Sequence, residues 1–216
     1  MTQRSNISLR RKTALSEGNV DYSTKREYLI RVAATLFKEK GYKSTTLNDI
    51  AQHAGMHRAT VYYYFGNKEE LFREAIKGVL DSNIAKAEDL VSTKTIDPRE
   101  KLQRLIELVM TSYDESYPYM YVYIQEEMHE VAAERSPWAQ QMVQQTRRFE
   151  KMFMTLVSQG IAQGQFRRDI PVALAANAMF GMLNWTHRWY TPGSSHSAKH
   201  VAEGFCKVFF EGIRKS

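Results

Sequence analysis

The sequence has little of what secreted or membrane proteins usually need. Only one cysteine, Cys206, occurs among 216 residues, so no disulfide can form within the chain and a disulfide-stapled fold is excluded. The first 20 residues are polar and basic, without the apolar segment of a secretory signal. One run without Lys, Arg, Asp or Glu, residues 170–187, is about long enough to span a membrane, but Pro171 and two asparagines interrupt it. We therefore expect a cytoplasmic protein in which this run forms a helix buried on several sides.

Motifs of hydrolases and metal sites are missing too. The sequence contains no Gly-x-Ser-x-Gly, His-Glu-x-x-His or Cys-x-x-Cys. Glu126 and Glu127 are adjacent, so on a helix they lie on different faces and do not form a catalytic pair. His196 and His200 could share a metal, but exposure on a final helix explains them more simply. We predict no catalytic residue, no cofactor and no bound metal.

Positive charge is concentrated in the first third of the chain. The formal net charge is +6. Residues 1–80 carry 14 Lys and Arg against 8 Asp and Glu, whereas residues 81–216 carry 16 of each. Such an excess indicates an anionic partner at that end, such as nucleic acid or a membrane surface. Residues 1–22 lack hydrophobic periodicity and are interpreted as a basic arm, either a solvated tail or a segment that enters a minor groove.

Hydrophobic residues recur with a helical period along the whole chain, which predicts an all-α protein of about nine helices without a sheet. Capping-box spacings, in which two side chains satisfy free backbone N–H groups, predict helix starts at Thr24, Thr46 and Asn67. Gly41 and Gly55 predict the ends of the first two helices, because helices commonly end on a left-handed glycine.

The fourth helix is expected to reach about Val91, and prolines predict the later boundaries. Proline suits the first turn of a helix, which gives four further starts: Pro98, Pro118, Pro137 and Pro171. The helix after Pro118 is expected to extend through Met128, and the next one to close at Gly160 or Gly164. The helix after Pro171 is expected to reach Tyr190, and a last helix contains residues 201–209.

The second and third helices, joined at Gly55, are predicted to form a helix-turn-helix whose second helix enters the major groove of DNA. Arg58 can bind guanine O6 and N7, and Tyr62 and Tyr63 offer hydroxyls and apolar rings. Lys68 is placed at a helix start, where a phosphate also meets free backbone N–H groups. An inward-packed position for one of the tyrosines at 62–64 stays open.

The segments Gly41–Ala51, Ala54–Met56 and Thr60–Leu71 closely resemble the TetR family of bacterial one-component repressors, in unbroken register over about residues 24–72. The resemblance implies that four positions hold phosphates: Thr46, Thr60, Tyr64 and Lys68. It implies that three others lie at the bases: Arg58, Tyr62 and Tyr63. Lys43, Thr45 and His57 complete the predicted DNA-contact set. The resemblance also implies a two-fold homodimer whose interface is built by the last two helices.

We predict three regions: the arm 1–22, a helix-turn-helix domain 23–70, and a ligand-binding and dimerisation domain 71–216. Eight of the ten Met and all three Trp lie beyond residue 80, which is typical of an adaptable apolar cavity but also of an ordinary core. Trp185, Trp189 and Arg188 are either a ligand site or part of a dimer-interface helix. The candidate ligand-binding residues are Tyr113, Tyr117, Met120, Tyr121, Met128, Trp138, Met142, Arg148, Phe149, Trp185, Arg188 and Trp189.

This second part is similar, more loosely, to TetR-type repressors that respond to acyl-CoA thioesters in fatty-acid and steroid breakdown. The resemblance implies an acyl-CoA effector, with Arg147, Arg148 or Arg188 near its phosphates. The sequence thus favours a repressor that binds a palindromic double-stranded DNA operator as a homodimer, without a membrane partner, and leaves it when an effector binds. Alternatives are an activator, a TetR-type regulator with another hydrophobic effector, such as one that controls drug efflux, and an all-α binding protein or enzyme that is merely basic at one end.

Overall fold

A computed structural model describes residues 20–124 and 137–213 of the chain. Within these ranges it contains nine α-helices and a short 3-10 turn, without a β-strand, which confirms the all-α prediction. The chain divides into two compact units, Met1–Ile76 and Lys77–Ser216. The functional boundaries at residues 22 and 70 stay predictions.

The helices that begin in the first unit are α1 (Val20–Lys40), α2 (Leu47–His53), α3 (Arg58–Tyr64) and α4 (Lys68–Ser92). The predicted start at Thr24 was wrong, because α1 already includes Val20 and the Thr24 hydroxyl donates to the Val20 carbonyl oxygen at 2.8 Å. Residues 20–22 of the predicted arm are therefore helical, and its first 19 residues lie outside the described residues. Tyr22 is buried against the ring of Tyr64, so packing fixes this first turn.

The other predicted helix boundaries in this unit are confirmed. Asp49 N donates to the Thr46 hydroxyl at 3.2 Å, and Thr46 N donates to the Asp49 carboxylate at 2.8 Å, which completes the capping box of α2. Gly41 and Gly55 have φ angles of +83° and +65°, the left-handed backbone that glycine adopts without strain. At the start of α4, Asn67 Oδ1 accepts from the backbone of residue 70 at 2.6 Å.

A buried arginine ties three helices of the first unit together. Arg26 on α1 is only 5% exposed. Its Nη1 donates to the carbonyl oxygen of Tyr64, the last residue of α3, at 2.6 Å. Its guanidinium also pairs with the carboxylate of Glu74 on α4 and lies 4.2 Å from the centre of the Phe65 ring. One side chain therefore fixes the end of α3 relative to α1 and to the first turns of α4.

The helices that begin in the second unit are α5 (Pro98–Glu115), α6 (Tyr117–Val122), α7 (Pro137–Ala162), α8 (Val172–Trp185) and α9 (Ala198–Ile213). The boundaries marked by proline are confirmed to within one residue. Gly164, at φ +73°, closes α7. One end is earlier than predicted, because α8 gives way to the 3-10 turn Thr186–Arg188. Helix α6 is α-helical to Val122 and continues as a π-turn to Ile124, and the predicted extension through Met128 lies outside the described residues.

Helix α8 differs from its prediction in burial. Ala175, Ala176, Met179 and Leu183 are buried, but the opposite side of the helix is open in the single chain. The prediction of a helix buried on several sides is therefore wrong for one protomer. No helix among the described residues is long and apolar enough to cross a membrane. Cys206 on α9 is buried, and burial raises its pKa to about 12, so the thiol is unreactive near neutral pH.

The Arg26 network predicts a large effect of one substitution. Arg26→Met should destabilise the first unit by roughly 2–4 kcal/mol, because the Tyr64 carbonyl and the half-exposed Glu74 carboxylate lose their buried cation. Hydrogen exchange over residues 20–76 measures this effect. Tryptophan fluorescence would not report on the first unit, because all three tryptophans lie in the second. The control is Lys25→Met, which removes only an exposed ion pair with Asp21 and should leave the exchange unchanged. Equal exchange in the two variants would contradict the network's role.

Candidate DNA-binding and effector sites

The outer surface of α3 carries an exposed cation next to an aromatic hydroxyl. His57 and Arg58 are exposed at its N-terminal end, and Tyr62 and Tyr63 are half-buried. Arg58 Nη2 donates to the Tyr62 hydroxyl at 3.3 Å, and the guanidinium carbon lies 5.1 Å from the centre of the Tyr62 ring. We call Arg58 and Tyr62 the reading pair. It offers the fork of donors that matches a guanine edge and an apolar ring that suits a thymine methyl group.

Two residues of the predicted DNA-contact set do not lie on the surface. Thr45 is 1% exposed, and its hydroxyl donates to the Gly41 carbonyl oxygen at 2.8 Å, so its side chain serves the loop between α1 and α2. Tyr64 is the tyrosine that packs inward, with its ring 4.9 Å from that of Tyr22. Burial raises the pKa of Tyr64 and removes its ring from the outer surface of α3. We therefore withdraw both side chains from the proposed contacts.

Two lysines and a threonine lie on the segments before and after α3, in the loop between α1 and α2 and at the start of α4. Lys43 and Thr46 are exposed. The Thr46 hydroxyl bonds with Asp49, and this hydrogen bond is the main reason why the pKa of Asp49 lies below its ordinary value. Lys68 Nζ donates to the Tyr42 carbonyl oxygen at 2.6 Å and lies 4.4 Å from the centre of the Tyr42 ring. Lys68 thus fixes the loop that presents Lys43, a structural role that the sequence did not reveal.

The second unit contains a cavity of about 160 Å³. Residues from α4, α5, α7 and α8 and from the segment 120–124 line it, and most of them are apolar. The apolar lining includes Ile84, Met110, Met120, Phe149, Phe180 and Leu183. Glu150 is the only carboxylate or cation among the described lining residues. The cavity therefore suits an apolar group rather than an anion.

Three of the predicted ligand-binding residues line this cavity: Tyr113, Met120 and Phe149. Eight others do not: Tyr117, Tyr121, Trp138, Met142, Arg148, Trp185, Arg188 and Trp189. Met142 is instead completely buried in the packing of α7, and Arg148 pairs with Glu88. Trp185 and Trp189 are 60% and 50% exposed, on the outside of the chain.

Polar side chains form one part of the cavity wall. Asn83 Nδ2 donates to the Ser112 hydroxyl at 2.8 Å, and Gln145 Nε2 donates to the Asp81 carboxylate. Tyr113 is 4% exposed, and burial raises its pKa well above the ordinary value, so its hydroxyl stays protonated and able to donate. Sequence reasoning missed Gln145 because a lone buried glutamine has no periodic signal.

Exposed apolar and small residues form one stripe on α8. Leu174, Ala178, Gly181 and Trp185 follow each other at helical spacing, and all are exposed. On α9, Val208 is 65% exposed, one turn after the exposed Gly204. A Cβ atom at either glycine would meet nothing within 4 Å, so another helix has room to approach closely. We call these residues of α8 and α9 the outer face.

Comparisons with known proteins agree on one family. The family model "Bacterial regulatory proteins, tetR family" matches residues 29–75, and the model "Tetracyclin repressor-like, C-terminal domain" matches residues 95–213. The chain is 31% identical over 191 residues to the HTH-type transcriptional repressor KstR2 of Rhodococcus jostii strain RHA1, covering 88% of this chain and 92% of that protein.

Two solved structures extend the agreement to the fold. The ketosteroid transcriptional regulator KstR2 of Mycobacterium tuberculosis has a TM-score of 0.81 at 30% identity, over 89% of this chain and 96% of that one. The TetR family regulator PfmR of Thermus thermophilus has a TM-score of 0.76 at 30% identity, over 87% of this chain and 99% of that one. The family predicted from the helix-turn-helix segments is thereby confirmed, and this chain belongs to the TetR family of bacterial transcriptional regulators.

Proposed function

We propose that this chain is a repressor that binds a palindromic operator as a homodimer and leaves it when an apolar effector enters the cavity. The observation that carries the proposal is the reading pair, the exposed Arg58 and the half-buried Tyr62, on a short helix in the part of the chain that holds the excess positive charge. The relatives named KstR2 are transcriptional repressors, which supports repression over activation.

On the operator, each protomer places α3 in a major groove. Arg58, Tyr62 and Tyr63 read base edges, with His57 at the N-terminal end of the same helix. Phosphates on either side bind to Lys43, Thr46, Thr60 and Lys68, which fix the register without reading sequence. Of these, Lys43 and Thr46 are exposed, but the Thr46 hydroxyl donates to Asp49 and must turn away from it to reach a phosphate.

The outer face of α8 and α9 is the proposed dimer interface. A single protomer leaves Leu174, Trp185 and Val208 at least 60% exposed, which is unfavourable for side chains of this size. A second copy related by a two-fold axis would cover the same residues on both chains. Two-fold symmetry gives the dimer two copies of α3, and a palindromic operator offers two half-sites to match them.

Helix α4 is the proposed link between the cavity and DNA. Residues of α4 line the cavity, and α4 begins at Lys68, next to the DNA-reading segment. In the second unit, α4 is held to α7 by the Gln145–Asp81 hydrogen bond and the Arg148–Glu88 ion pair. An effector that favours another position of α4 separates the reading helices, and it shifts the equilibrium only by its difference in affinity for the two states.

An acyl-CoA thioester is the proposed effector. The cavity offers an apolar site for the acyl end, and the exposed Thr146 at its wall is followed on α7 by the exposed Arg147 and Arg148. Cations outside the cavity suit the phosphates of the coenzyme, because the described lining residues include no cation. The name of the ketosteroid regulator KstR2 agrees with an effector from lipid breakdown.

Effector release is tested by titrating the full-length dimer with a panel of acyl-CoAs of different chain lengths and ring systems. A bound acyl-CoA should weaken binding to a palindrome from the protein's own promoter by about 5- to 150-fold, as measured by fluorescence anisotropy. Free coenzyme A serves as the control and should have little effect, because it lacks the apolar group. Unchanged operator affinity with an acyl-CoA bound at saturation would refute the switch.

Base reading and phosphate contact are separated by a pair of variants. Arg58→Ala should weaken binding to the promoter palindrome by about ten-fold or more, yet weaken binding to shuffled DNA of the same length much less. Lys43→Ala should weaken binding to both DNAs by the same factor, since a phosphate contact carries no sequence information. If Arg58→Ala also affects both DNAs equally, Arg58 does not read bases.

A further inference from the structure

Two buried polar atoms beside the cavity lack hydrogen-bond partners among the described residues. They are the hydroxyl oxygen of Tyr113 and Oε1 of Gln145. The two residues are only 4% and 8% exposed, and both line the cavity. Native proteins rarely leave such atoms unpaired, because each loses its hydrogen bonds to water without replacement. A ligand that supplies the missing partners would remove this penalty only in the bound state.

The available hydrogen-bonding capacity defines the chemistry of that ligand. The Tyr113 hydroxyl can donate, and Gln145 Oε1 can only accept, because an amide oxygen carries no hydrogen. The hydrogen bond from Nε2 to the Asp81 carboxylate fixes which atom of this amide is the oxygen. A ligand hydroxyl can accept from Tyr113 and can also donate to Gln145, whereas a carbonyl can do only the former. A carboxylate finds no cation among the described lining residues and meets the carboxylate of Glu150.

The size of the cavity limits the group that enters it. Its volume is about 160 Å³. An engineered apolar cavity of about 150 Å³ in another protein binds benzene, so one ring or a short branched chain is the group that fits here. The rest of a larger effector, including any charged part, must lie outside.

We infer that the cavity takes a neutral, ring-sized apolar group that carries a hydroxyl, which hydrogen-bonds to Tyr113 and Gln145. The inference rests on the proposed function in one respect, that this cavity is the effector site. Because Gln145 also binds Asp81 on α4, the residue that reads the hydroxyl is the residue that holds the proposed link to DNA.

The free protein provides a first check. Tyr113→Phe removes a hydroxyl that has no partner among the described residues, so the melting temperature should stay the same or rise. Tyr190→Phe is the matched control: the Tyr190 hydroxyl donates to Asp114, and burial together with this bond raises its pKa to about 12. Removal of this paired hydroxyl should lower the melting temperature. A fall of similar size in both variants would show that Tyr113 is already paired.

The binding test uses isothermal titration of the full-length protein with phenol, toluene and benzoate. An entirely apolar cavity prefers toluene, because phenol must give up its hydrogen bonds to water. We expect phenol to bind at least as tightly as toluene and benzoate not to bind. Tyr113→Phe should weaken the affinity for phenol by about ten-fold and leave the affinity for toluene unchanged, while Tyr190→Phe should change neither affinity.

Three results would overturn the inference: preference for toluene in the wild-type protein, an unchanged phenol-to-toluene ratio in Tyr113→Phe, or no binding of either probe. None of these results bears on whether an acyl-CoA releases the operator, because that release is measured separately by anisotropy. The converse result is also distinguishable. If phenol binding depends on Tyr113, the inferred ligand chemistry holds. If an acyl-CoA then binds without changing operator affinity, only the proposed switch is refuted.

Discussion

The helix proposed to read DNA, α3, is fixed at its C-terminal end by one buried arginine. Helix α3 has only seven residues, too few to be stable alone, and its N-cap residue His57 makes no side-chain capping bond. Its last carbonyl is instead bound by Arg26, whose charge is balanced by Glu74. This arrangement fixes the end of α3 that faces the core, while the exposed end carries Arg58. The outer surface of α3, which is proposed to contact DNA, is thus supported from its inner side by Arg26, and precise recognition needs such support.

The second unit has a different balance between packing and polar contacts. Its core is densely apolar, yet the part of α4 that lines the cavity is held by polar pairs, Gln145 with Asp81 and Arg148 with Glu88. Polar pairs with one exposed side exchange more readily than interdigitated apolar side chains. The Gln145–Asp81 pair of the element proposed to move lies at the wall of the cavity that is proposed to control it.

Much of the fold could be predicted because local rules decide it. Thr46 with Asp49 and the left-handed Gly55 fix α2 from a few adjacent residues, and the prolines mark helix starts for a steric reason. The role of Arg26 was missed, although its place three residues before Leu29 puts a cation on the apolar stripe of α1. That position could have signalled a buried ion pair, but its partners Glu74 and Tyr64 are far away in sequence.

The cavity was harder to predict than the helices. Its wall combines residues from helices distant along the chain, and periodicity shows only which face of each helix is buried. Tyr113 and Tyr117 share a stripe, yet only Tyr113 lines the cavity. Trp185 and Trp189 share a helical spacing as well, yet both lie outside the cavity and are exposed.

The central claim, that the basic first unit of a homodimer holds the DNA backbone, is tested most directly by the salt dependence of operator affinity. If each protomer neutralises about four phosphates, log affinity should fall against log salt concentration with a slope of roughly −7. A slope near half that value would indicate one protomer on DNA and contradict the dimer. A slope near zero would contradict the whole account, because the positive charge of residues 1–80 would then have another purpose.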